Sequence, residues 1–76
     1  MQLRQILNLK LSFELAKYEG IKYDIAKLST ILYDNLPCQM QKCFQTEAIE
    51  CNNNAELIEV CIIFCNSFIG GYNGKF

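Results

Sequence analysis

Histidine is absent from the 76 residues, and with it go the Ser–His and Cys–His dyads and every mixed Cys/His zinc site. Tryptophan is absent too, and arginine occurs once, at Arg4. Lysine and arginine together number 7 against 8 acids, for a net charge of −1. Non-specific nucleic-acid binding rests on Lys and Arg neutralising phosphates, so nucleic acid is not an expected partner. Long apolar runs are missing as well. The richest stretch, residues 57–69, contains Glu59, Asn66 and Ser67 and falls short of the roughly 20 residues that span a bilayer. Arg4, Gln5, Asn8, Lys10 and Glu14 interrupt any signal-peptide core at the start. There is no N-x-Ser/Thr acceptor, no glycine placed for myristoylation and no prenylation box. A cytoplasmic protein without membrane association is the expectation.

What is present is apolar and small. Hydrophobic residues make up 51% and charged residues 20%, too apolar for disorder. One small domain over residues 1–76 is expected. A core of this size supplies about 3–5 kcal/mol and leaves apolar surface uncovered, which favours self-association as a homodimer. Phe, Ile, Lys, Asn and Tyr account for 31 residues. Their AT-rich codons suggest the genome of a low-GC bacterium, its phage or a comparable parasite.

Periodicity predicts helices. Ile21, Ile25, Leu28, Ile31, Leu32 and Leu36 share one helical face over 21–36, and Pro37 ends that segment. A second helix is expected over 39–51, with Met40, Cys43, Phe44, Ala48 and Cys51 on one side. After the Asn52-Asn53-Asn54 turn, Asn53 as N-cap and Glu56 three residues on form a capping pattern. The helix from there, about 54–69, is apolar on most of its circumference and is expected to stop at Gly70-Gly71. The first segment is open. Leu7, Leu9, Leu11, Phe13 and Leu15 alternate with polar residues as in a half-buried strand, whereas the absence of β-branched residues from 7 to 19 favours a helix. The fold class expected is all-α, a compact bundle of three to four short helices in which the first segment is a helix or a β-strand.

The five cysteines, Cys38, Cys43, Cys51, Cys61 and Cys65, admit several readings. Folding 39–51 back on 54–69 would bring Cys43 opposite Cys61 or Cys65 and Cys38 near Cys65, giving two staples and one odd thiol. Zinc usually draws on short knuckles with turn residues between the ligands, and neither C-x4-C nor C-x3-C here has them. A nucleophilic thiol needs an electropositive neighbour, and only Lys42 beside Cys43 qualifies. The favoured reading is reduced thiols acting as small core hydrophobes, four of them on predicted apolar faces.

Other patterns carry little chemistry. Glu47/Glu50 and Glu56/Glu59 are read as solvated pairs rather than acid–base or metal groups. Residues 15–21, followed by Ile25 and Leu28, resemble the helix–turn–helix pattern. Glu19, however, stands where an apolar residue is usual, and two core helices meeting at Gly20 is the simpler reading. Beyond Gly70-Gly71, Tyr72 and Phe76 are aromatic candidates for anchoring a partner. The polar arc of Arg4, Asn8 and Ser12 is the next candidate. For self-association the candidates are Leu3, Leu7, Leu11, Ile62 and Phe68.

The functional expectation is therefore a non-enzymatic protein-binding module, a small inhibitor or adaptor of phage or bacterial accessory type. No catalytic, cofactor-binding or metal residues are assigned. A helix–turn–helix DNA-binding regulator and a cysteine-based redox or metal module are the alternatives.

Overall fold

Local signals and one tertiary surprise build this chain. A computed structural model describes the backbone of residues 2–19 and 23–74 and the side chains of 3–19 and 23–70. Four helices follow in order: α1 Gln2–Glu19, α2 Ile25–Asn35, α3 Cys38–Ile49 and α4 Asn54–Gly74. The described residues contain no strand, and no helix among them is long and apolar enough to cross a membrane.

The breaks between helices have local causes. Asp24 caps α2, its side chain accepting from the Lys27 backbone N–H at 3.1 Å, so this helix begins at Ile25; positions 21 and 22 of the expected segment lie outside the described residues. Leu36 is extended, with φ −84° and ψ 149°, as the residue before a proline prefers. Gln41 then fastens α3 to the end of α2 by donating from Nε2 to the Tyr33 carbonyl at 2.7 Å. The asparagine turn works as expected. Asn53 Oδ1 accepts from the Glu56 N–H at 2.9 Å, and Glu56 Oε1 reaches back to accept from the Asn52 N–H at 2.8 Å. The reciprocal bond lands one residue before the cap, but two backbone donors are still satisfied.

α4 packs against all three other helices, which explains why so much of its circumference is apolar. Its Cys61 and Cys65 are fully buried and Ile58 nearly so. Around them stand Ile6, Leu9, Phe13 and Ala16 of α1, Ile25 and Leu32 of α2, Leu36, and Phe44 of α3. The Phe44 and Phe64 rings meet edge to face at 5.3 Å, a favoured aromatic geometry. α1 lies along α4 in the opposite sense. Lys17, near the end of α1, pairs with Glu59, near the start of α4, at 2.9 Å, while Lys10 and Glu14 lie close to Cys65.

One open reading is settled and two expectations need correction. First, residues 7–15 are helical, the favoured of the two readings. Alternate residues on a helix lie about 200° apart and residues i and i+4 share a face. The strict alternation therefore becomes two opposed stripes. Leu9 and Phe13 face the core, and Leu7, Leu11 and Leu15 face away. Second, Gly70-Gly71 does not stop α4, which continues to Gly74. Glycine in a helix costs about 1 kcal/mol, and Phe68 and Ile69, packed on the core just before, help offset that cost. Third, Cys43 is exposed rather than on a buried face. α3 turns Phe44 inward, and the residue before it on the helix is rotated by about 100°.

Candidate functional site

The outer face of α1 is the most distinctive surface of the molecule. Leu7, Leu11, Leu15 and Tyr18 are 41%, 59%, 45% and 80% exposed. Their spacing of 4, 4 and 3 residues puts them on one line along the helix, directly opposite the core-facing line of Ile6, Leu9, Phe13 and Ala16. An amphipathic surface helix carries one such stripe. α1 carries two. Arg4, Asn8 and Glu19, all exposed, border the outer stripe on one side, with Lys10 and Glu14, joined at 3.9 Å, on the other.

The predicted binding residues divide around this face. Leu7 and Leu11 lie on it and the half-buried Leu3 continues its line. Arg4 and Asn8 stand exposed at its edge, and Ser12 is half-buried. Ile62 and Phe68 are instead partly buried against the core, so they do not join the leucines. Phe76 and the Tyr72 side chain lie outside the described residues. Leu15 and Tyr18 were missed, although the i+4 step from Leu11 and the i+7 step to Tyr18 pointed to them. Ile49 and Ile63, also strongly exposed, fall on the outer sides of α3 and α4 and were missed as well.

Compared with family models, curated proteins and solved structures, the chain matches none.

The thiols divide by burial. All five cysteines are unpaired. Burial pushes the Cys61 and Cys65 thiols up to about 12, which keeps them protonated and unreactive at neutral pH. Cys51, half-buried beyond α3, has its Sγ within 3.4 Å of the Glu47 carbonyl. Its thiol is also raised, first by burial and then by Glu56, Glu47 and Glu50. Among the described residues no three His, Cys, Asp or Glu side chains converge as metal ligands do, and no charged or polar residue is buried.

Two concavities stand out among the described residues. A cleft of about 470 Å³ opens where the end of α1 meets the starts of α2 and α4, lined by Ala16, Tyr23, Ile25 and Ile58 with the Lys17–Glu59 pair. The Lys17 ammonium is raised first by its hydrogen bond to Glu59 and then by that carboxylate's charge. A shallower groove of about 340 Å³ runs between α2 and α3 past Thr30, Tyr33, Phe44 and Ile49. Neither brings together a nucleophile and a base.

Proposed function

We propose that this chain is a non-enzymatic protein-binding module, a small inhibitor or adaptor of phage or bacterial accessory type, with the outer face of α1 as its contact surface. The observation that carries this reading is the second apolar stripe. Leu7, Leu11 and Leu15 stand outside the bundle core, and each exposes apolar area that a partner would remove from water. Tyr18, the most exposed of the four, belongs to the residue types that concentrate interface energy. Arg4, Asn8, Lys10, Glu14 and Glu19 supply the polar rim such interfaces have.

The regulator alternative gains no support from α2, the helix that would read DNA. Its exposed Lys27 is accompanied by the exposed acids Asp24 and Asp34, a poor complement to phosphate. For the cysteine module, the two most buried thiols are the least able to ionise.

The test is affinity capture from the native host, comparing the immobilised wild-type chain with Leu11→Lys. Leu11 is more than half exposed, so helix content by circular dichroism should be unchanged. The reading expects discrete captured proteins to be lost with the variant. Equal capture by both proteins refutes the assignment of this face.

A further inference from the structure

The outer face of α1 has a charge pattern as well as an apolar one. Wrapped at about 100° per residue, Leu7, Leu11 and Tyr18 mark its centre. Lys10 and Glu14, paired at 3.9 Å, form one border. Arg4, Asn8 and Glu19 form the other border. We propose that this face is occupied by the same face of a second copy, with the two α1 helices antiparallel about a two-fold axis at Leu11. The proposal rests on reading the face as a contact surface and names its occupant.

Antiparallel two-fold pairing sets each border of one helix beside the same border of the other. Centred on Leu11, it brings Leu7 level with Leu15 of the other copy and Leu11 against its own counterpart. Toward one border, Arg4 comes level with Tyr18 on the centre line of the other copy and within one residue of its Glu19. The chain's single arginine thus meets both an aromatic ring face and a carboxylate. On the other border, Lys10 lies two residues from level with Glu14 of the other copy. Symmetry makes each of these pairings twice. A parallel pair would do the reverse. Arg4 would face the border carrying Lys10, and the nearest acid there, Glu14, would sit about 15 Å along the helix.

Area sets the strength. The exposed parts of Leu7, Leu11, Leu15 and Tyr18 amount to on the order of 400 Å² per copy, about half of what a standard interface buries on each side. An interface this small makes a weak dimer, with a Kd of about 100 µM or above.

Sedimentation equilibrium of the full chain, from about 1 µM to 1 mM to bracket such a Kd, tests this. The mass should rise from 8.8 kDa toward twice that value. Leu11→Lys places two lysines together on the axis and should abolish the rise, whereas mixing L11K with L11E should restore it. Arg4→Glu should weaken the dimer about tenfold, and the double swap R4E/E19R should recover most of the loss. A wild-type monomer at the highest concentration overturns the proposal, as does a dimer indifferent to L11K. A double swap that fails to recover overturns the antiparallel arrangement. The reading that a host protein docks on this face fails separately, if L11K abolishes the dimer but leaves captured host proteins in place.

Discussion

Phe13 and Leu11 are two residues apart on α1, and truncating each asks directly which way this helix faces. Phe13 is fully buried, whereas Leu11 keeps 59% of its surface exposed. Phe→Ala in a core costs about 3–5 kcal/mol, as much as a domain of this size holds in total. F13A should therefore be largely unfolded, and F13L is the graded probe. It leaves part of the ring volume empty at a cost of about 1–2 kcal/mol, and each kcal/mol lowers Tm by about 4–8 °C in a domain this small. Full burial of a leucine is worth about 2 kcal/mol, and less than half of Leu11 is buried. L11A should cost under about 1 kcal/mol, reduced further by alanine's higher helix propensity. Urea and thermal melts at low micromolar concentration make the comparison, because a dimer would add stability by mass action at higher concentration. In a strand, residues 11 and 13 would share a face, and the two variants would be equally costly. L11A melting at or below F13L would refute the two-faced helix.

Alkali should unfold the protein through its buried thiols. With Cys61 and Cys65 pushed up to about 12 in the fold, the unfolded chain releases those protons first. Stability is then complete below the ordinary thiol value, about pH 8.5, and falls as pH climbs toward 12, by up to about 1.4 kcal/mol per pH unit for each thiol. Urea midpoints at pH 8 and 10 should differ more for wild type than for C61A/C65A, and equal slopes would exclude the thiols as the cause. With a thiol-specific dye at neutral pH and no reductant, Cys38 and Cys43 should react promptly and Cys51 slowly. Cys61 and Cys65 should react only after denaturation, and a total below five in denaturant would reveal disulfides. Asn53→Ala removes the cap bond to the Glu56 N–H and should lower stability by about 1 kcal/mol, measured by urea titration; an unchanged midpoint would show the cap is idle. Gly70→Ala should raise stability by about 0.4–1 kcal/mol, since a Cβ there meets nothing within 4 Å inside a continuous helix. A loss would mean that α4 ends at Gly70.

Much of this molecule was written locally. Pro37 with its extended neighbour, the Asn53–Glu56 cap and the apolar periods of the last three helices depend on residues within a few positions of one another. Short-range geometry settles such features, and the all-α class followed from them. The fate of Gly70-Gly71 was not local, because the neighbouring Phe68 and Ile69 gain from packing that no propensity scale contains. Nor was the burial of the cysteines. Cys43 and Cys61 look alike as small apolar residues on amphipathic helices, yet one faces solvent and the other sits between α4 and its neighbours. The outer face of α1 shows the division best. The alternation of leucines was plain in the sequence, but it is compatible with one face of a strand or two faces of a helix. Only the docking of Ile6, Leu9, Phe13 and Ala16 in the core decided that Leu7, Leu11 and Leu15 would be left in solvent, because a helix cannot turn both of its opposed faces toward the same core.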